Sequence, residues 1–517
     1  MTMTSTHAAR DADTLYRAIA ALDRPCYVVR DEHGLAAASD DSGFGPGTQV
    51  LAGVPPLTRE RLGSPGFLRD HGVANPYLAG AMANGIASAD LVVAMARAGF
   101  LASFGAAGLV PERVDAGLSA IRRRAPGLPF ACNLIHSPSE PALERATVDA
   151  CLRHGVECVE ASAFLELTPE VVRYRASGLS AGPAGQVRIG HRVIAKVSRP
   201  EVAELFLRSA PAPILRSLAA DGRITAEQAE LAARVPMADD LTAEADSGGH
   251  TDRRPLSVLL PEIIALRDRV CAETGREVRV GAAGGIGTPT AACAAFAMGA
   301  AYVVTGSINQ ASVEAAQSDA TKRLLAEATA SDTGMAPSAD MFELGVDVQV
   351  LRRGTMFASK ARRLYETYRA YDGIEAIPPA ERTGLEERIF QRPLTEVWRD
   401  TVAFFQARDP EQIHRAQDDP KRRMALVFRW YLGLSSGWSV AGTPERVADF
   451  QIWCGPAMGA FNDWVAGTYL AALPNRQVAD IAVNLVRGAA FATRVAQLRF
   501  AGVRLPARCS TYVPAPG

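Results

Sequence analysis

Two small-residue turns stand out in the stretch VRVGAAGGIGTPTAACAAFAMGAAYVVTGS, residues 278–307. Gly284 and Gly285 follow one β-like run, and Gly306 and Ser307 follow the next. Glycines in such turns let the backbone close on a phosphate, which the exposed amides bind. The stretch therefore predicts a phosphate site that is built from two consecutive strand-to-helix turns.

The fold around this phosphate site follows from what comes after the glycines. A dinucleotide-binding Rossmann turn needs an acidic residue about 20 positions further on, at the end of the next strand. Here that strand ends in Thr305 and the Gly-Ser pair, with no carboxylate. A (β/α)8 barrel instead binds phosphate with the loops after strands seven and eight. Thr288 and Pro289 suit the N-cap and first turn of a helix that points at the anion. The alternative is that the glycines only permit close packing against the Ala-rich helix 290–299.

Eight apolar or small-residue runs alternate with helical patterns, most of them separated by about 20 to 30 residues. They lie at 77–85, 100–108, 130–138, 156–164, 192–200, 240–250, 278–287 and 301–307. Eight β-α units in sequence predict an α/β fold, a (β/α)8 TIM barrel rather than an open doubly wound sheet.

The rhythm of these units divides the chain into three predicted parts. Residues 1–75 form an N-terminal cap segment, and residues 76–320 form the barrel. The interval of about 201–239, after strand five, is longer than a crossover helix needs and predicts inserted helices over the barrel mouth. Residues 321–517 are predicted to be a mainly helical substrate and carrier-protein region, since the β-α rhythm stops and all five tryptophans follow residue 397.

Composition limits the class of protein. The 517 residues carry a formal net charge of −1, which suggests neither nucleic acid nor an anionic membrane as a partner. Eight scattered cysteines without a CxxC pair, and an N-terminus without an apolar core, predict a cytoplasmic protein with reduced thiols. The uncharged stretch 280–313 contains six glycines and Pro289, so it predicts a buried core and not a membrane span. No pattern predicts a metal site.

Polar residues at the carboxyl ends of barrel strands face the active site. The candidates are Asn84, Asn133, His136, Glu160, Ser162, Lys196, Asp246 and His250. Lys196 lies inside the apolar run VIAKV, where it needs a bound anion, an electron-rich ring or an ion pair with Glu160. His250 follows Gly248 and Gly249, which leave room for a flat ligand, and a histidine supplies or polarises a proton near neutral pH.

Longer motifs resemble those of the PfaD family of polyunsaturated fatty acid and polyketide synthases, which includes trans-acting enoyl reductases. The resemblance covers roughly residues 64 to 505. It is carried by GAMANGIAS, NLIHSPSEPALERATVD, VEASAFLELTPEVVRYR, EADSGGHTD, GAAGGIGTP, AYVVTGSINQ and QIWCGPAMGAFNDW. This family is similar to a wider group of FMN-dependent barrels that contains flavin enoyl-acyl-carrier-protein reductases and nitronate monooxygenases.

The resemblance implies that the phosphate belongs to FMN and that His250 is the catalytic residue. The implied cofactor-binding residues are Ala81, Met82, Ala83, Asn133, Lys196, Gly248, Gly249, Ala283, Gly284, Gly285, Thr305, Gly306 and Ser307. Of these, the loop at 81–83 would lie against the isoalloxazine, with Asn133 and Lys196 at its polar edge. The acidic neighbours Glu244 and Asp246 depart from the wider group's pattern and are left out of the catalytic set.

The implied activity is NADPH-dependent reduction of enoyl thioesters on acyl carrier protein domains of a polyketide or fatty acid synthase. Two alternatives stay open at this point. One is an oxygenase like the nitronate monooxygenases, and the other is a non-catalytic docking subunit of a synthase complex. The tryptophan-rich C-terminal region also offers a face for a homodimer.

Overall fold

The structure is a computed structural model that describes residues 11–39, 47–138, 140–408 and 410–516. The strands, in chain order, are β1 (Cys26–Asp31), β2 (Gly34–Ala38), β3 (Gln49–Val54), β4 (Tyr77–Ala79), β5 (Leu101–Phe104), β6 (Ala131–Ile135), β7 (Cys158–Ser162), β8 (Leu179–Ala181), β9 (Val187–Ile189), β10 (Arg192–Val197), β11 (Asp240–Glu244), β12 (Gly249–His250), β13 (Arg279–Ala283), β14 (Val303–Thr305), β15 (Thr333–Pro337) and β16 (Asp347–Leu351).

The helices alternate with these strands and then dominate the last third of the chain. They are α1 (Ala12–Ala20), α2 (Pro65–His71), α3 (Ala89–Arg97), α4 (Pro111–Arg124), α5 (Pro141–Arg153), α6 (Pro169–Ser177), α7 (Pro200–Leu207), α8 (Ala212–Ala220), α9 (Ala226–Ala232), α10 (Leu256–Thr274), α11 (Pro289–Ala297), α12 (Asp319–Ala326), α13 (Phe357–Ala370), α14 (Pro379–Leu385), α15 (Leu394–Arg408), α16 (Pro410–Gln417), α17 (Pro420–Ala441), α18 (Ala457–Val465) and α19 (Val478–Phe500).

Eight parallel strands close into a barrel in the order β4, β5, β6, β7, β10, β11, β13 and β14, with β14 returning to β4. These eight strands lie within the eight predicted runs, so the predicted (β/α)8 fold is confirmed. Their residues are buried almost throughout, as in β5, where all four are buried. Strands covered on both faces read as continuous apolar runs, and that is the pattern the sequence shows.

Hydroxyl side chains start several of the helices that follow barrel strands. Ser88, Thr168 and Thr288 each accept a hydrogen bond from the amide three residues further on. These N-caps satisfy amides that the first turn of a helix leaves unpaired. Each helix therefore begins at a fixed point after its strand, which holds the strand-end loops in place.

Helices α8 and α9 of the interval 201–239 do not lie over the barrel mouth, so the prediction of inserted helices there is wrong for these two. Helices α8 and α9 contact α6 on the outside of the barrel. The chain then enters β11 near its amino end, where the amide of Asp239 donates to the carbonyl oxygen of Val193 (3.0 Å). An amphipathic pattern predicts a helix with one buried face, but it does not say which end of a barrel that face covers.

A buried ionic network joins strands at the amino end of the barrel. His71 Nε2 lies 2.7 Å from Asp240 Oδ2, and Arg279 Nε lies 2.5 Å from Asp240 Oδ1. Burial alone would raise the pKa of Asp240, but the charges and hydrogen bonds of His71 and Arg279 lower it to about 2. The network stabilises the end of the barrel opposite the strand-end loops.

The N-terminal sheet, in the order β2, β1 and β3, packs beside α19 at the far end of the chain. Arg494 of α19 is fully buried and donates to backbone carbonyl oxygens of the N-terminal segment. Its acceptors are Ile19, Ala21, Leu22, Arg24 and Pro55. The two ends of the chain therefore pack against one another.

The region after residue 320 is mainly helical but contains the hairpin of β15 and β16, which also pairs with β12. A second apolar core, separate from the barrel core, joins this hairpin to helices α13, α14, α15 and α17. The chain then returns, and residues from Phe450 onwards pack into the barrel core. Within the described ranges, no helix combines the length and apolar composition that a bilayer crossing requires.

Candidate active site

A cavity of about 1210 Å³ opens at the carboxyl ends of the barrel strands. Barrel loops form its floor, and the β15–β16 hairpin, α15 and α17 contribute to its walls. All of the residues that the family resemblance assigns to the site line it, namely Ala81, Met82, Ala83, Asn133, Lys196, Gly248, Gly249, His250, Ala283, Gly284, Gly285, Thr305, Gly306 and Ser307. The structure thus brings together residues from distant parts of the sequence, while their roles stay predictions.

Glycine occupies the positions after β13 and β14 for different structural reasons. Gly284 has φ +86°, and a Cβ there would lie 2.5 Å from the carbonyl carbon of Ala245. Gly285 has φ +71° and Gly306 has φ −128°, and a Cβ on either would meet no protein atom within 4 Å. Within the described chain, no protein acceptor pairs with the amides of Gly285 and Gly306. The turns therefore form an open cradle of free donors.

Further elements complete this cradle. Thr288 caps α11, which starts directly after the first turn, so the positive end of a helix dipole lies beside the cradle. Ser307 Oγ accepts a hydrogen bond from the amide of Gly455 (3.0 Å). A Cβ on Gly287 would lie 2.1 Å from the carbonyl oxygen of Ala457. The segment 453–457 therefore packs over the cradle, a role that the sequence interpretation missed.

Lys196 projects from β10 between two carboxylates. Its Nζ lies 3.1 Å from Glu244 Oε1 and 3.8 Å from Glu160 Oε1. Glu160 is fully buried, and its Oε2 accepts from the amide of Ala81 (2.8 Å). Burial alone would lower the pKa of Lys196, but the two carboxylates raise it above its usual value. Lys196 thus stays protonated and forms ion pairs with both carboxylates. The pair with Glu160 is one that the sequence suggested, and the pair with the closer Glu244 is an additional one.

Asn133 presents an acceptor to the cavity. Its Nδ2 donates to the carbonyl oxygen of Glu160 (3.1 Å) and to Ser162 Oγ (2.9 Å). Both amide hydrogens are therefore used within the protein, and the remaining polar atom is Oδ1. Asn133 and Lys196 together offer one acceptor and one cationic donor to a ligand.

His250 lies on the short strand β12, which pairs with β16 of the hairpin. Its Nε2 is 3.2 Å from Asp340 Oδ1, and both side chains line the cavity. Burial alone would lower the pKa of His250, but the hydrogen bond and charge of Asp340, with a further contribution from Glu244, raise it. For Asp340, burial alone would raise the pKa, but His250 and Ser338 lower it to about 2.

The glycines before His250 are required by the protein backbone itself. A Cβ on Gly248 would lie 2.8 Å from the amide nitrogen of Cys454. Gly249 has φ +84°, a conformation that other residues rarely adopt. Close approach of segment 453–457 therefore explains Gly248 without reference to a flat ligand.

Two non-glycine residues of the lining have a left-handed backbone. Asn84 has φ +58° and Ala163 has φ +60°. Such conformations cost energy and cluster at functional sites, where the surroundings hold them in place. Asn84 Nδ2 donates to Ser436 Oγ (3.1 Å), which ties a barrel loop to α17.

The wall opposite the barrel comes from the helical region and is largely apolar. Phe404 and Phe405 of α15 and Trp430 of α17 contribute aromatic rings. A Cβ on Gly433 or Gly437 of α17 would meet no protein atom within 4 Å, so the cavity has open space at these two positions. No sequence motif assigns these residues to the site.

His136 and Glu160 are the two strand-end candidates that are not among the described residues lining the cavity. His136 Nδ1 lies 3.3 Å from Glu144 Oε2, and the His136 ring stacks on Phe164 with centroids 5.3 Å apart. His136 therefore has a structural explanation in the contacts around α5.

Comparison with known proteins places these observations in a family. Residues 371–450 match a family model described as the inserted helical domain of [acyl-carrier-protein] S-malonyltransferase. A polyunsaturated fatty acid synthase polypeptide of Thraustochytrium sp. is 50% identical over 92% of this chain and 32% of its own length. Polyketide biosynthesis protein PksE of Bacillus subtilis is 44% identical over 84% of this chain and 57% of its own length. The chain thus spans about a third of the synthase polypeptide and just over half of PksE.

A solved structure matches over nearly its whole length. The enoyl reductase domain of MlnA, from the macrolactin biosynthesis cluster of Bacillus amyloliquefaciens, is 37% identical with a TM-score of 0.80. The match covers 85% of this chain and 98% of that domain. The chain therefore belongs to the PfaD-like family of enoyl reductases associated with polyketide and polyunsaturated fatty acid synthases.

Proposed function

We propose that the chain is a trans-acting, FMN-dependent enoyl reductase that uses NADPH to reduce the 2,3 double bond of enoyl thioesters on acyl carrier proteins. The pathway would be polyketide or polyunsaturated fatty acid biosynthesis. The observation that carries this proposal is the likeness to the enoyl reductase domain of MlnA over 98% of that domain. The geometry of the cavity supports it independently.

The residues present fit a flavin with a terminal phosphate. The open cradle at Gly285 and Gly306 offers unpaired amides where a side chain would otherwise fill the space. Asn133 Oδ1 and Lys196 Nζ offer the acceptor and the donor that the polar edge of a flavin ring requires. When bound, FMN would supply the two-electron redox chemistry that no side chain provides.

The size of the cavity supports a second ligand beside the cofactor. A volume of about 1210 Å³ exceeds the roughly 300–1,000 Å³ of a site for one small molecule. The apolar wall from α15 and α17 suits an acyl chain, since burial of its methylene groups is favourable. The barrel side would hold the cofactor, and the helical side would hold the thioester.

In the proposed reaction, the β-carbon of the thioester gains a hydride equivalent and the α-carbon gains a proton. One NADPH becomes NADP⁺, and one proton is consumed for each double bond that is reduced. His250 would donate the proton at the α-carbon or a hydrogen bond to the developing enolate oxygen. The raised pKa of His250 keeps the ring protonated closer to neutral pH, as a general acid requires.

The test begins with the visible spectrum of the purified protein. Under anaerobic conditions, NADPH should bleach a flavin spectrum, and a crotonyl thioester on an acyl carrier protein should restore it. His250→Ala should slow reoxidation by the thioester about 10²- to 10⁴-fold while flavin stays bound. His33→Ala is the matched control, because His33 is exposed on the β1–β2 turn.

The same experiment separates the two alternatives. Reoxidation only by oxygen, together with oxygen uptake on a nitronate, would overturn the reductase in favour of a flavin oxygenase. A colourless protein that does not take up added FMN would favour a docking subunit. Unchanged thioester reduction by His250→Ala would remove His250 from the mechanism without affecting the assignment of the reaction.

A further inference from the structure

The β15–β16 hairpin brings a carboxylate to His250 from outside the barrel. Asp340 lies in the connection between the two strands, 90 residues beyond His250 in the chain. Backbone pairing of His250 with Val348 and of Gly249 with Gln349 fixes the hairpin against the His250 loop. The contact between the two side chains therefore rests on strand pairing.

A second set of hydrogen bonds holds Asp340 in this position. Ser338 Oγ donates to Asp340 Oδ1, the atom that also faces His250. The amide of Met341 donates to Ser338 Oγ (3.2 Å), and the amide of Ser338 donates to the carbonyl oxygen of Val346 (2.9 Å). Asp340 thus sits in a closed, hydrogen-bonded turn, a defined position although half of its side chain is exposed.

We propose that Asp340 is the positioning residue that sets His250 as the proton donor of the reaction. It fixes the ring through Nε2–H and leaves Nδ1, which has no hydrogen bond within the described chain, as the atom that meets the substrate. This inference rests on the proposed function, because it assumes that His250 gives a proton to the reduced thioester.

The tautomer decides what His250 does. A neutral ring with its hydrogen on Nε2 offers only a lone pair at Nδ1 and is no donor there. The doubly protonated ring carries a hydrogen on Nδ1, and the carboxylate of Asp340 stabilises its positive charge. After the Nδ1 proton passes to the α-carbon, the neutral ring stays bonded to Asp340 through Nε2–H. A solvent proton then restores the starting state.

The other charges near the ring do not replace Asp340. Glu244 of β11 favours the protonated ring, but it lies 3.1 Å from Lys196 Nζ, which offsets its charge. The remaining charged groups belong to the ring's own loop, the hairpin and the neighbouring walls of the cavity. They are Asp246, Asp252, Arg253, Asp347, Arg199 and Arg429. Of these, Asp252 pairs with Arg199, Asp347 with Arg362 and Arg429 with Glu343.

The pH dependence of Asp340→Asn tests the proposal. The amide oxygen still accepts from Nε2–H, so the ring stays in place, but the negative charge is lost. Because donation needs the protonated ring, activity falls as pH rises through the pKa of His250. The alkaline limb of the kcat profile should therefore move at least about one unit lower, with the low-pH plateau within about threefold of wild type. Asp340→Ala should show the same shift and lower the plateau at least about tenfold.

Glu343→Gln is the matched control, a carboxylate-to-amide change in the same turn whose partner is Arg429 and not His250. Its profile should superimpose on that of wild type. A merely structural role for Asp340 would lower kcat equally at every pH, and that result would overturn the proposal. So would a profile of Asp340→Asn that is identical to wild type.

A direct titration keeps this test separate from the proposed function. Imidazole ¹H–¹³C signals of labelled protein, assigned with His250→Ala, report the midpoint for His250 without turnover. The midpoint should fall in Asp340→Asn, and an unchanged midpoint would refute the pairing. A wild-type protein that reduces no enoyl thioester would instead refute the proposed function, whatever the titration shows.

Discussion

Replacing Gly306 by Ala should weaken flavin binding and leave the fold intact. The φ of Gly306 is −128°, outside the left-handed region that favours glycine, and its Cβ would meet no protein atom within 4 Å. The stability of the protein without cofactor should therefore change by no more than about 0.5 kcal/mol. The new methyl group would point into space that the proposed phosphate occupies.

The size of the effect follows from the cost of overpacking. One extra carbon in a closely packed site costs about 1–3 kcal/mol, which corresponds to roughly a 5- to 150-fold weaker Kd. Cofactor-free protein would be titrated with FMN by fluorescence quenching, and its unfolding would be followed by calorimetry. Riboflavin, which lacks the phosphate, is the comparison ligand and should bind both proteins equally.

Gly284→Ala is the matched control for this prediction. Its φ of +86° and the 2.5 Å approach to the carbonyl carbon of Ala245 mean that a side chain there strains the protein itself. This variant should unfold at lower temperature even without cofactor. If Gly306→Ala binds FMN as wild type does, or loses riboflavin and FMN equally, the cradle is not a phosphate site.

Three more predictions concern the buried charges of the barrel and the apolar wall of the cavity. Lys196→Met leaves Glu244 and the buried Glu160 without their cation, so urea denaturation should show that the free energy of unfolding falls by about 3–5 kcal/mol. Lys196→Arg, which keeps the positive charge, should lower it less. Gly437→Leu fills the open space beside α17, so kcat/KM for long acyl thioesters should fall about 10- to 200-fold. The kcat/KM for the crotonyl thioester should change little, and an equal loss for both substrates would exclude this wall from acyl binding. The pKa of Asp240 is about 2 in the folded protein and about 3.9 in an unfolded chain. Ionised Asp240 therefore contributes about 2–3 kcal/mol to the free energy of unfolding above pH 4, and this contribution is lost as the pH falls towards 2. Acid unfolding of Asp240→Asn should lack that contribution between pH 4 and 2.

The barrel was predictable because its signals are local. Each strand is a short run buried on both faces, and each turn carries its own glycine or N-cap, as Thr288 does. The residues of the cradle follow from the same rule, since the carboxyl ends of barrel strands meet at one mouth. Knowledge of the strand order was therefore enough to place Gly285, Gly306 and Lys196 together.

The placement of helices α8 and α9 failed for the opposite reason. Their sequences carry apolar positions at helical spacing, but the surface that those positions meet is not local information. Leu215 and Leu218 of α8 are buried in a helix that contacts α6 outside the barrel. The end of the barrel that a helix covers depends on the length and direction of its connections, for which no motif exists.

Asp340 could not be found by periodicity either. Its contact with His250 spans 90 residues and depends on antiparallel pairing between β12, a strand of two residues, and β16. Hydrophobic patterning cannot identify a strand of this length. The segment 453–457 is similar, since its only local signal is a glycine within a motif that carries the family resemblance.

These two missed elements are connected. The chain leaves the barrel through the hairpin, passes through the helical region that includes residues 371–450, and returns through segment 453–457. The outgoing strand β16 and the returning segment are joined by two backbone hydrogen bonds. The amide of Leu351 donates to the carbonyl oxygen of Ile452 (2.8 Å), and the amide of Cys454 donates to the carbonyl oxygen of Gln349 (3.3 Å). One side of this junction holds His250 through Asp340, and the other packs against Gly248 and the cradle. The helical region is therefore attached to the barrel at the candidate active site itself, so a displacement of that region would alter the surroundings of His250 and of the cradle together.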